Sequence, residues 1–163
     1  MVDDEWRRWP QDWTARKAGD GCQLCDFLRT EDPAWGLPVY TGQVANGYLW
    51  ARGQITGYCV IIWRGGHICE PTDLTPADAS RYFDDIFAVG RALIRLLGPA
   101  KMNYETLGNA VPHLHTHVVP RGLDDPNPGG PLPWTYLDDG HQPAGPLHAL
   151  ADDLRRLLPA GAT

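Results

Sequence analysis

Lysine is scarce in this chain. Lys17 and Lys101 stand against twelve arginines, and the 163 residues carry a net charge of −6. That balance excludes a broad electrostatic grip on nucleic acid, which needs a basic surface. It leaves room for a small anion held by backbone amides and a few arginines. No apolar run approaches the length of a membrane span. Residues 1–20 lack the apolar core of a signal peptide and are instead polar, with Trp6, Trp9 and Trp13. The expectation is a cytoplasmic protein that meets neither membrane nor nucleic acid. Cysteine is limited to Cys22, Cys25, Cys59 and Cys69. Without a secretion signal, disulfides are not the default. Cys59 lies in the apolar run Tyr58–Trp63 and reads as a small buried hydrophobe.

What is present is patterned. Residues 22–28 read as a first short helix. Residues 44–52 and 57–64 read as strands, and the second is apolar enough to be buried on both faces. The clearest helix runs from Pro76 to Leu97, with Thr75 as N-cap, Pro76 at the first helical position and Gly98-Pro99 as the stop. Its apolar stripe is Ala79, Tyr82, Phe83, Ile86, Phe87, Gly90, Leu93, Ile94 and Leu97, which predicts core packing. Residues 101–107 read as a strand, 108–112 as a loop, 122–133 as a Gly/Pro/Asp-rich loop, and 147–158 as a final amphipathic helix. Strands, one long helix and further strands give an α+β fold with an antiparallel sheet.

Residues 113–121 read His-Leu-His-Thr-His-Val-Val-Pro-Arg. Side chains alternate across a strand, so His113, His115 and His117 are expected on one face, with Leu114 and Val118 on the other. Thr116 interrupts an otherwise apolar back face. Three imidazoles make poor core and good metal ligands, nucleophiles or proton carriers.

This run resembles the signature of the histidine triad family of nucleotide hydrolases and transferases. The preceding string, Asn103 to Pro112, resembles a bacterial branch described as diadenosine-polyphosphate hydrolase-like. The resemblance spans roughly residues 20–135. It implies a single domain over 1–163 with a sheet of about five strands, one long helix and a C-terminal helix. The Trp-rich arm 1–19 and the C-terminal loop and helix 122–163 flank the core. It implies that His115 attacks the α-phosphorus and that His117 helps protonate the leaving group. It also implies a homodimer whose sheets join across a two-fold axis.

The loop before the triad is a candidate phosphate cradle. Gly108 permits close backbone approach and the amides of Asn109 and Ala110 can face phosphoryl oxygens; the resemblance implies that the Asn109 side-chain amide lies near the leaving group. Asn103 completes that edge. Val44, Leu49 and Trp50 are candidate walls for a purine, so AMP- and GMP-type substrates are both admitted.

Cys22-x-x-Cys25 has three readings: a redox pair, free thiols or half a zinc site. With His67 and His113 it forms a Cys2His2 set, a standard structural zinc combination. The resemblance supports that set, because some relatives bind metal through the first triad histidine. Cys69 is a rival fourth ligand. A catalytic metal on all three triad histidines is a further alternative. One departure matters. Relatives carry an acid on an early strand for the ribose hydroxyls, and no Asp or Glu occurs between Gln43 and Gly66.

Overall fold

A computed structural model describes residues 9–159; Trp6, with the first eight residues of the arm, lies outside them. Five helices and five strands follow in the order α1 (Trp13–Lys17), α2 (Gln23–Thr30), β1 (Gly36–Thr41), β2 (Ala45–Trp50), β3 (Cys59–Trp63), α3 (Pro76–Leu97), β4 (Lys101–Glu105), β5 (His115–Arg121), α4 (Trp134–Asp138) and α5 (Ala144–Leu157). The strands form one antiparallel sheet in the order β1-β2-β3-β5-β4. The central strand β3 is buried on both faces, as its unbroken apolar run requires.

The α3 boundaries follow the sequence signals. Thr75 Oγ1 accepts from the Asp78 amide at 3.1 Å, and Gly98 closes the helix at φ 56°. The buried stripe is rotated from the expected one. Tyr82, Asp85, Ile86, Val89, Ala92 and Leu93 point inward, whereas Phe83, Phe87 and Ile94 are more than 40 % exposed. Asp85 belongs inside because its carboxylate is fully bonded. It accepts from the amides of Gln43 (2.8 Å), Val44 (2.9 Å) and Ala45 (3.0 Å), and from the Tyr40 hydroxyl at 3.3 Å. Gly42 makes room for it: a Cβ there would lie 2.3 Å from the Asp85 carboxyl. The helix is thereby stitched to the β1–β2 turn.

Asp85→Ala leaves these buried amides unpaired and is expected to cost roughly 2–5 kcal/mol. Asp85→Asn, which keeps one acceptor oxygen, should cost less. Denaturant unfolding midpoints of the two variants check the order.

Helices α3 and α5 cover one face of the sheet, over Leu49, Cys59, Ile61 and Val118. The other face carries a second apolar cluster, in which Leu24 and Phe27 of α2 meet Tyr48, Tyr58, Val60, Ile62 and Val119. The segment after β5 completes that cover. Buried Arg121 pins residues 122–130 by bonding the Asp125 carboxylate and the carbonyls of Asn127 (2.7 Å) and Gly130 (3.1 Å). Leu132 and Leu137 then enter the cluster. The amide of Gln54 donates to the Tyr136 carbonyl and that of Gln142 to the Ala51 carbonyl, both at 2.8 Å. The chain so crosses one face of the sheet before α5 reaches the other. Among the described residues, no helix is long and apolar enough to cross a membrane.

Candidate active site and metal centre

Strand β5 begins at His115, so His113 precedes the strand instead of heading it. The cause is local. Pro112 carries no amide proton, the His113 amide turns back to the Val111 carbonyl at 2.8 Å, and Leu114 donates to the Ile68 carbonyl. His113 is thereby separated from the other two triad histidines and directed toward α2.

There it meets three partners. Cys22 caps α2 and Cys25 follows on its first turn, which sets the two sulfurs side by side. The Cys22 Sγ to His113 Nδ1 distance is 3.5 Å, Cys25 Sγ to His113 Nδ1 is 3.4 Å, and Cys25 Sγ to His67 Nδ1 is 3.6 Å. All four donor atoms lie within 4.8 Å of one another. A tetrahedral zinc with Zn–S of about 2.3 Å and Zn–N of about 2.0 Å sets S···N edges at about 3.5 Å. The donor set and its spacing therefore fit zinc. The histidine tautomers fit as well. His113 Nε2 donates to the Trp63 carbonyl at 2.8 Å and His67 Nε2 to the Lys17 carbonyl at 3.2 Å. A carbonyl only accepts, so each ring carries its proton on Nε2 and turns the Nδ1 lone pair to the cluster. Burial and the adjacent Cys22 sulfur raise the Cys25 thiol to about 11.

Cys69 is not part of the set. Its thiol faces the Pro112 carbonyl at 3.0 Å and the Lys17 carbonyl at 3.4 Å, and lies 3.8 Å from the far nitrogen of His67. The alternative of one metal on all three triad histidines is not formed among the described residues.

His115 and His117 share the face of the sheet that carries the α2 cluster, with ring centroids 4.8 Å apart. They are 7 % and 4 % exposed. His115 Nδ1 donates to the His113 carbonyl at 2.5 Å, so the lone pair is on Nε2. Burial lowers the basicity of His115, opposed by that carbonyl. Burial, and then His115, push His117 down to about 3. Both rings are neutral at rest. Thr116, the polar intruder of the sequence, faces the helices and bonds Tyr82 (2.9 Å) and Thr106 (2.7 Å). It thus ties the strand of His115 and His117 to the start of the 107–112 loop.

The other expected positions divide. Gly108 has φ 73°, a conformation that favours glycine, and the loop carrying Asn109 and Ala110 runs directly into His113. Asn103 pairs with Val119 on the histidine face and its amide donates to Glu105 at 3.2 Å. Trp50 joins the cluster on that face, packed against Phe27. Leu49 and Val44 do not. Leu49 pairs with Cys59 and packs, as Val44 does, against the helix-side core. Strand alternation puts Leu49 behind the sheet, and Val44, in the β1–β2 turn held by Asp85, packs there too, which corrects the expected purine walls. Tyr58, absent from the sequence reading, bonds His117 at 2.5 Å.

Residues 48–123 match the family described as HIT domain. No curated protein matches the sequence. Among solved structures, a histidine triad protein from Bradyrhizobium japonicum aligns with a TM-score of 0.70 at 22% identity, covering 80% of this chain and 94% of that one. A histidine triad protein from Sinorhizobium meliloti 1021 gives 0.68 at 25% identity, covering 82% and 93%. A Zn-bound histidine triad family protein from Mycobacterium smegmatis gives 0.61 at 22% identity, covering 85% and 96%.

Proposed function

From the match of residues 48–123 to the HIT domain family, we propose that this chain is a nucleotide hydrolase or nucleotidyltransferase. It acts at the α-phosphorus of dinucleoside polyphosphates or nucleoside 5′-phosphoramidates. The observation that carries this reading is the His115 tautomer. The His113 carbonyl holds the proton on Nδ1, which leaves Nε2 as a neutral nucleophile beside His117.

His115 Nε2 attacks phosphorus. The N–P bond forms as the bond to the leaving group breaks, and the leaving group departs with the electron pair and a proton from His117 Nε2. Burial keeps His117 neutral at rest, and an anionic phosphoryl group placed against it favours the protonated form needed for that transfer. Water then attacks the nucleotidyl-histidine. Its proton goes to His117 and the N–P electron pair returns to His115. Asn103, Gly108, Asn109 and Ala110 are assigned to the phosphoryl oxygens and leaving group. Cys22, Cys25, His67 and His113 would hold zinc. Held by four protein ligands, such an ion would cross-link α2 to the strand of the nucleophile, a structural part and not a Lewis-acid one. A homodimer is supported by the outer strand β4 and by the exposed rings of Phe83, Phe87 and Tyr104 beside it.

Incubation with a labelled nucleoside phosphoramidate or diadenosine tetraphosphate, quenched in base, tests the reading by the appearance of an acid-labile histidine adduct. Nucleotide binding with neither adduct nor turnover would favour a nucleotide-binding regulatory module. The near-complete cover over His115 and His117 is the observation on that side.

Selectivity follows from the missing acid. With no carboxylate between Gln43 and Gly66 to accept both ribose hydroxyls, ribo and 2′-deoxy nucleotides should bind similarly. AMP and GMP should differ by no more than about tenfold, or roughly 1.4 kcal/mol. Calorimetric titration of the four monophosphates checks this. A large ribo preference would assign the role to a residue outside that stretch or to Arg52 or Gln54.

A further inference from the structure

We infer that Tyr58 is the positioning residue of His117, holding the ring by Nδ1 so that Nε2 stays aimed at the leaving group; this rests on the proton-donor role proposed above. Tyr58 immediately precedes β3 and is 1 % exposed. Its hydroxyl lies 2.5 Å from His117 Nδ1, and the rings are stacked at 26° with centroids 5.8 Å apart. Its own backbone is fixed, since the amide donates to Ile55 and the carbonyl accepts from Trp50 at 2.9 Å. Its ring belongs to the cluster that holds Val60, Val119, Leu132 and Leu137.

The type of partner separates His117 from the other three histidines. His67, His113 and His115 each face a backbone carbonyl, which locks one tautomer. His117 faces a hydroxyl, which donates to a bare Nδ1 or accepts from a protonated one. The bond to Tyr58 therefore survives in both neutral tautomers and in the cation. His117 is the histidine that must change its proton count twice per turnover, and a partner of this kind lets it do so without rotating. The sequence held one usable signal: position 58 falls two residues before Val60, which pairs with His117, and so lies on the same face of the sheet.

Tyr58→Phe keeps the ring and deletes the bond. With an alkylamine leaving group, kcat should fall about 10–100-fold with KM nearly unchanged. With a good leaving group such as a nitrophenol, which needs no proton, the loss should be less than about threefold. In a His117→Gln background Tyr58→Phe should have no further effect. Equal losses for both leaving groups, or an additive loss in the double variant, would overturn the inference in favour of simple packing. A readout independent of turnover uses protein labelled with ¹⁵N-histidine. The His117 Nδ1 resonance should move in Tyr58→Phe while those of His67 and His113 stay in place. An unmoved His117 signal would overturn the proposal even if the protein turned over no nucleotide, and silence of His117→Gln alone would overturn the proton-donor role.

Discussion

Stripping metal from freshly purified protein is expected to cause a large loss of stability, and elemental analysis before chelation should find about one zinc per chain. Without the ion, Cys22, Cys25, His67 and His113 bring two sulfurs and two nitrogen lone pairs together with nothing to bind them. The four come from α2, the loop after β3 and the entry to β5, so the ion closes long stretches of chain. Structural zinc in small peptides has apparent binding energies of about 10–16 kcal/mol, and that energy is folding energy. If half of the lower figure applies here, about 5 kcal/mol, Tm falls by roughly 10–20 °C at 2–4 °C per kcal/mol for a chain of this size. Cys22→Ser and His67→Ala should reproduce the loss, and Cys69→Ser should not, since its thiol faces carbonyls outside the set. Metal-free protein of unchanged Tm would dismiss the zinc assignment.

His115→Ala should lower turnover on the order of 10³–10⁶-fold, the range seen when a covalent nucleophile is removed and only binding remains. Fold and metal content should be unchanged, because the His115 side chain bonds a carbonyl and ligates nothing. Circular dichroism and metal analysis provide the control, and single-turnover assays the result. Near-normal rates would remove His115 from the mechanism. Partial recovery of His115→Gly by free imidazole would confirm that a ring nitrogen at that point is what the reaction uses.

The parts of this molecule legible in its sequence are those set by local rules. Thr75, Pro76 and Gly98 delimit α3 because caps act within one turn. Cys22 and Cys25 lie together because an N-cap side chain turns back to the third residue of its helix. What escaped depends on partners distant in sequence. Asp85 reads as a solvent residue until the β1–β2 turn is brought to it, 40 residues away for Ala45. Phe83 and Phe87 fit a helical period as well as Asp85 and Val89 do, and only packing decides which arc faces the sheet. Strand β1 contains Pro38, which a sequence reading takes as a break. At the sheet edge the missing amide is tolerated and the register shifts there instead. Leu49 was assigned to the wrong side because a strand shows its period, but not which face will meet the histidines.

The crossing of residues 122–142 has a consequence for comparison with relatives. The stretch that matches the family, 48–123, holds β3, β5 and the paired histidines, and so the residues proposed to make and break a bond to phosphorus. The apolar cluster on the same face of the sheet draws Leu24 and Phe27 of α2 and Leu132 and Leu137 of the crossing from outside it. The paired histidines and part of the cluster packed on their face therefore occupy separate lengths of chain, free to diverge at different rates. A relative that matches residues 48–123 closely but differs over 22–30 and 124–142 should share the reaction and accept different molecules. The inheritance of a substrate is to be judged on those two flanking stretches together with Trp50, Asn103 and the 108–110 loop, however well the histidines align.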